Sequence, residues 1–299
     1  MNINELTYLF CLVDDFCKVY EGWRAHGLIP CQGKRRRAIG MSYSEMLTIV
    51  IAFHLGPCKQ FKYHYLYWIG SHFAHCFPNL LSYSRFVQLM PRLFLPMSLL
   101  LHLLSGQKRG IYYADSTRLE VCHLKRTTSH KVFAGLAAMG KSSYGWFLGF
   151  KLHLIINEQG QIVAVKLTAG NVDDRGVVQG MSQGLKGSIY ADKGYVSASL
   201  FQQLYKQGLK LITQIRKNMK NKLRSLIDKV RLRKRSLIES VFHILKNQMN
   251  LAHTRHRSVS NFCINLLGCL LAYTIKKGKK HHLEAAVLAL QNSWPLIQN

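Results

Sequence analysis

Three acids carry the chemical interest of this chain: Asp115, Asp192 and Glu239. The sequence has only 14 Asp and Glu against 41 Lys and Arg, and two of those acids end near-duplicate stretches, IYYAD at 111 to 115 and SIYAD at 188 to 192. Each stretch has a short apolar run with tyrosine, then Ala, then Asp, and each reads as a buried strand. If the strands are neighbours, the two carboxylates meet at one edge. There they repel and shift each other's pKa unless a cation lies between them, and hard divalent ions take oxygen ligands of this kind.

A third oxygen ligand is available from the helix pattern RSLIESVFHILKNQMN. At about 100° per residue, Ile238, Phe242, Leu245 and Met249 form an apolar stripe, with Arg235, Glu239, His243 and Lys246 alongside it. Glu239 is then an acid at the edge of a buried face, bracketed by two cations. An ordinary i,i+4 ion pair between Arg235 and Glu239, contributing a few tenths of a kcal/mol, accounts for the same residues, and the helix alone does not decide between the two. Asp173 and Asp174 compete for a metal role, but they open a helix, where acids cap free N–H groups and suit the dipole. Glu120 falls on the opposite strand face from Asp115. The histidines form no ligand pattern such as HExxH.

The elements that position these acids follow from periodicity. Residues 1 to 105 are helical in pattern: Ser42 and Glu45 form a capping box ahead of MLTIVIAFHL. Further on, Ser84 leads a short helix that would suit the second helix of a helix-turn-helix or a member of a plain bundle. From residue 110 the period changes. GIYYADSTRLEVC, GWFLGFKLHLIINEQG and QIVAVKLTAG read as three antiparallel strands, followed by helix, strand GSIYADKGY, helix, and strand KLITQIR. The expected fold is α/β, a mixed five-stranded sheet ordered 3-2-1-4-5 and flanked by helices, behind an all-helical N-terminal domain. Domain boundaries are expected at 1–105, 106–280 and a tail at 281–299.

Composition supports a folded protein with an anionic partner. With 48% apolar residues the chain can fill a core, and a formal charge of +27 calls for a polyanion, nucleic acid foremost. Ten of the twenty residues from Arg216 to Arg235 are Lys or Arg, and a second cluster is Lys34 to Arg37; both suit phosphate contact. Eight cysteines without a CxxC argue for reduced thiols rather than a zinc site or disulfide framework. Acids in the first residues argue against an export signal, and the apolar run 261–275 is short of the roughly twenty residues needed to span a bilayer. It is expected to be a core helix in a cytosolic protein with no membrane association.

Two strand-terminal aspartates followed by Arg235, Glu239 and Lys246 in R(3)E(6)K spacing resemble the DDE transposases of bacterial insertion sequences. The stretches DKGY at 192–195 and GNVDDR at 170–175 are similar to segments of that family, and the finer likeness is to the insertion-sequence family numbered nine-eighty-two. The resemblance implies an RNase H-like catalytic domain and two Mg²⁺ or Mn²⁺ ions held by Asp115, Asp192 and Glu239. It implies cleavage at terminal inverted repeats of double-stranded DNA and 3′-hydroxyl strand transfer into target DNA. It also implies a homodimer or larger assembly on DNA in the bacterial cytoplasm, at the nucleoid. Arg231, Arg233, Lys234, Arg235, Lys246 and Lys193, with Arg35, Arg36 and Arg37, are the expected DNA contacts. Where many relatives have a tyrosine three residues before the arginine, this chain has Leu232. Two other functions stay open: a non-catalytic basic protein that coats nucleic acid, and an RNase H-like nuclease without strand transfer.

Overall fold

The computed structural model describes residues 1–27, 40–142, 145–214, 225–252, 256–278 and 280–297. It divides into two compact units. Arg35, Arg36 and Arg37 lie outside the described residues, as do Arg216 to Arg224 of the long basic run.

The first unit comprises residues 1–104, 248–251 and 256–299. Its helices are α1 (Ile3–Ala25), α2 (Tyr43–Leu55), α3 (Phe61–Tyr63, continuing as a π-helical stretch to His72), α4 (Tyr83–Leu89) and α5 (Phe94–Leu103). Capping boxes start α1 at Asn2 and Glu5 and α2 at Ser42 and Glu45. Ser82, not Ser84, caps α4, accepting from the Arg85 N–H; the turn begins one pair of residues earlier because Ser82 holds the extended backbone that a cap requires. Helix α2 is buried all round, from Met46 to His54, so it is a core helix rather than an amphipathic surface one.

The second unit, residues 105–247 and 252–255, begins with β1 (Ile111–Cys122), β2 (Ala138–Ser142), β3 (Gly145–Asn157) and β4 (Ile162–Ala169). It continues with α6 (Asp174–Met181), β5 (Gly187–Ala191), α7 (Ala198–Lys206), β6 (Leu209–Thr213), α8 (Leu226–Arg233) and α9 (Ser236–His243). The sheet has six strands in the order β2-β3-β1-β5-β6, with β4 also on β3. The five strands legible in the sequence take the expected 3-2-1-4-5 order; β2 is the addition. Its sequence AMGKS carries no apolar alternation, and it is held by pairing to the first residues of β3. The central strands are held from one face by a core of Tyr112, Ala114, Ile155, Val178, Ile189, Ala191, Leu200 and Leu204.

Helices α10 (Val259–Lys277) and α11 (Lys280–Ile297) return to the first unit, whereas the sequence pattern had run the second domain on to residue 280. A mostly apolar helix goes where it can bury its surface, and α10 packs on α2 and α5 with Ile264, Cys269, Leu270, Leu271 and Ala272 fully enclosed. It is also longer than the fifteen apolar residues suggested. Two segments, Tyr83–Leu103 and Val259–Lys277, have the length and composition to cross a membrane, a test that core helices also pass.

Close packing at β1 and β3 gives a direct test. A Cβ on Gly149 would lie 2.0 Å from the Leu119 carbonyl oxygen, whereas one on Gly176 in α6 meets nothing. Gly149→Ala should destabilise the protein by about 1–3 kcal/mol or more through forced strand separation. Gly176→Ala should leave it unchanged or add up to about 1 kcal/mol. Denaturant titrations of both variants check the contrast.

Candidate active site

The two similar stretches lie side by side and in register. β1 pairs with β5 in parallel from Ile111 with Ser188 to Ala114 with Ala191. Tyr113 faces Tyr190 with ring centroids 5.8 Å apart, both essentially enclosed, and the Tyr190 hydroxyl donates to Asp228 of α8 at 2.8 Å. Asp115 and Asp192 are the next residues. Asp192 ends its strand as expected, but Asp115 does not: β1 continues seven residues further, paired with β3 alone. What ends at Asp115 is the parallel ladder, because β5 stops at Ala191 and Asp192 turns to accept from the Lys193 N–H at 2.7 Å.

Arg235 completes the group. Standing at the start of α9, its guanidinium donates to Asp115 Oδ2 at 2.9 Å and to Glu239 Oε1 at 2.5 Å. The i,i+4 pair that the helix pattern suggested is real, but it is half of a three-residue bridge. Residues 115, 235 and 239 therefore meet within the span of one side chain. Arg235 and Asp115 are largely buried, with 13% and 22% of their side chains exposed, while Glu239 is open at 57%, so charge pairing counts for more at Asp115 than at Glu239.

Burial pushes the Asp115 carboxyl up to about 6; the Ser116 N–H and Arg235 oppose the rise, and the charges of Asp192 and Glu239 add to it. Asp115 thus faces two further acids in a poorly solvated place. Among the described residues, no three His, Cys, Asp or Glu side chains are grouped to hold a metal ion as they stand; the cation position between Asp115 and Glu239 is taken by Arg235.

The remaining expected residues lie apart from this bridge. Lys246 follows in a π-helical turn, Ile244–Gln248, and its pKa is lowered by burial and by Arg118, with Glu120 opposing. It therefore attends the far half of β1. Arg231 lies with Tyr190 and Asp228. Arg233, Lys234 and Lys193 are exposed. Asp174 accepts from Ser116 Oγ at 2.7 Å and Lys151 Nζ at 2.9 Å, and Asp173 caps α6 and pairs with Arg175, which holds its carboxyl at about 2. Both are paired with basic side chains and line the cleft that Asp115 and Asp192 share.

Asp115 and Asp192 open into a cleft of about 560 Å³ whose other walls include Lys141, Trp146, Lys151 and Arg175. Sequence patterns gave no reason to single out Lys141, Trp146 or Lys151. Arg175 was marked only as part of GNVDDR.

The raised Asp115 pKa sets a pH test. The folded pKa lies above the usual value near 3.8, so folding favours the protonated acid: its contribution is intact below about pH 4 and declines as pH rises to 6. Without divalent ions, Asp115→Asn should raise the melting temperature at pH 7–8, with the gain shrinking to nothing below about pH 4. Thermal melts across that range check it.

Residues 105–259 match the family described as transposase DDE domain. No curated protein matches the sequence. Among solved structures, the chain resembles the piggyBac transposase in a synaptic complex with hairpin DNA, at a TM-score of 0.52 and 10% identity, over 97% of this chain and 80% of that one. That likeness is one of fold, an α/β sheet of the RNase H-like kind with a helical N-terminal region. With the family match covering more than half its length and its two aspartates set together at the end of one parallel ladder, the chain belongs to the transposase DDE domain family.

Proposed function

We propose that this DNA transposase cleaves phosphodiester bonds at the ends of its element and joins the resulting 3′-hydroxyl to target DNA, with Asp115, Asp192 and Glu239 as its catalytic acids. The observation that carries the proposal is the Arg235 bridge: one guanidinium bonds acids 124 residues apart in sequence, and Asp192 follows the last residue of the parallel ladder as Asp115 does.

The acids fit divalent ions. All three offer hard oxygen donors, the Asp115 charge is disfavoured by burial and by its neighbours, and a cation already joins two of them. Asp115, Asp192 and Glu239 would hold Mg²⁺ or Mn²⁺, two ions in this proposal, once Arg235 releases at least one carboxylate. Bound there, such ions activate an attacking oxygen and stabilise a leaving one in an in-line displacement. The chain's own residues supply the rest. The β1–β5 ladder fixes two acids relative to one another, α9 brings the third, and Arg235, once turned from the acids, is placed to pair with a phosphate.

Exposed Lys193, Arg233 and Lys234, with Lys246 further along, would track the DNA backbone; Arg35, Arg36 and Arg37 are proposed to do so as well. The +27 charge predicts binding that weakens steeply with salt. The helical residues 1–105 are assigned to recognition of the terminal repeats, and the sheet-bearing domain to cleavage and joining. Bringing two ends together requires a dimer or larger assembly on DNA, in the bacterial cytoplasm at the nucleoid. The finer placement in the insertion-sequence family numbered nine-eighty-two rests on motif spacing.

Labelled duplexes carrying the element's terminal repeats, incubated with Mg²⁺ or Mn²⁺, should be nicked and, with a pre-cut end, joined to a second duplex. Asp115→Asn, Asp192→Asn and Glu239→Gln should each lower cleavage by about a thousandfold or more, roughly 4 kcal/mol of barrier, with DNA binding largely retained. Cleavage that survives chelation, or all three substitutions, overturns the proposal. Nicking without joining identifies a nuclease instead.

A further inference from the structure

The cleft beside Asp115 and Asp192 has a second wall that acid chemistry leaves unused. β2 and the first residues of β3 pair antiparallel, which puts Lys141 opposite Trp146. The Lys141 ammonium sits 5.7 Å from the indole centroid, and Trp146 is 56% exposed while its neighbour Phe147 is 1% exposed. Burying an indole is strongly favourable, so a tryptophan left open on the wall of a charged cleft has surface to offer a ligand.

The support for that wall is stiff. A Cβ on Gly140 would lie 2.3 Å from the Gly170 carbonyl oxygen, and one on Gly170 would lie 2.6 Å from that of Ala138. The backbone of β2 is thus pressed on the residue that follows β4, and Trp146 pairs with β2 at Lys141. The cleft volume of about 560 Å³ is on the scale of small-ligand sites, about 300–1,000 Å³. It has room for a nucleotide or two. A ligand suited to these walls has a flat π-face for the indole, negative charge for Lys141, and a phosphate that can reach the acids. A nucleotide of a locally unpaired strand has all three.

We propose that Trp146, with Lys141 on one face of its ring, is a stacking platform for one unpaired nucleobase of the DNA strand being cut. This rests on the DNA-cleaving reading of the acids, and it adds a separate binding site. Aromatic–base stacking tolerates any base, because each has a π-face, and is reinforced by a neighbouring cation. The platform would hold the end of the duplex open beside the acids, so that a single strand rather than a double helix enters the cleft.

The test uses the full-length protein without divalent ions, so it does not depend on catalysis. The probe is a duplex with a three-nucleotide unpaired tail carrying 2-aminopurine, whose emission falls when it stacks. The wild type should quench the probe and bind the tailed duplex more tightly than a blunt one. Trp146→Ala should abolish the quenching and weaken tailed-duplex binding about tenfold, with blunt-duplex binding and melting temperature unchanged. Trp146→Phe should restore most of both effects. Equal quenching by wild type and Trp146→Ala, or no wild-type preference for the tailed duplex, overturns the proposal. Quenching that depends on Trp146 in a protein that never cleaves DNA with Mg²⁺ or Mn²⁺ would keep the platform and remove the catalytic reading, so the two fail separately.

Discussion

Two carboxylates set side by side at the end of a parallel strand pair create a charge problem that the rest of the catalytic unit is arranged around. Asp115 and Asp192 cannot be separated without breaking the register that also sets Tyr113 beside Tyr190 and pairs Ala114 with Ala191. Burial raises the Asp115 pKa and the nearby charge of Asp192 adds to it, so the strain on this carboxylate is relieved by protonation or by a cation. Arg235 supplies that cation, and because its other nitrogen takes Glu239, the charge that neutralises one acid recruits the next. A helix that would otherwise be held to the sheet by its apolar stripe alone is fixed at its first turn by this bridge. In a chain with 41 basic residues and 14 acidic ones, one arginine thus bridges Asp115 and Glu239 next to the point where the parallel ladder ends.

The scaffold beneath the acids is correspondingly rigid. The tyrosines of the two matching strands fill the space between the sheet and α8, where Tyr190 is tied to Asp228, and Asp228 also pairs with Lys210 of β6. On the other face, Ala114 and Ala191 lie within a core of larger apolar side chains. Ala114 and Ala191, immediately before the acids, share that core with side chains of α6 and α7, which leaves the acids at the rim of a packed layer.

Much of this was legible in the sequence, and the failures have physical causes. The repeated Tyr-Ala-Asp, the alternation in β3 and the spacing of Arg235, Glu239 and Lys246 report local geometry, and local geometry is what periodicity encodes. The order of the five main strands followed from three antiparallel strands ahead of alternating helix and strand. Strand β2 was missed because its five residues owe their extended form to pairing with β3, a tertiary effect on a sequence with no strand pattern. Asp115 was read as a strand end because its parallel partner ends there; the continuation is paired on one side only, a distinction that a single strand's residues do not carry. The return of α10 to the helical unit was illegible for a related reason: an apolar helix does not encode which core it will join. Trp146 had no signal at all, since an aromatic residue in a strand is expected to be buried and its exposure is visible only in three dimensions.

The one departure within the Arg-Glu-Lys spacing is informative in itself. Seven residues of ideal helix advance about 700°, nearly two full turns, which would set Lys246 directly along the axis from Glu239, about 10 Å away. The π-helical turn at Ile244–Gln248 widens the ring from i,i+4 to i,i+5 and rotates each residue by less, so Lys246 leaves that line and comes under the influence of Arg118 and Glu120. A lysine there does not join the acids in balancing one another. Arg235 and Lys246, alike in a sequence motif, are thus separated by the backbone into a charge that balances the acids and a charge that lies by the far half of β1.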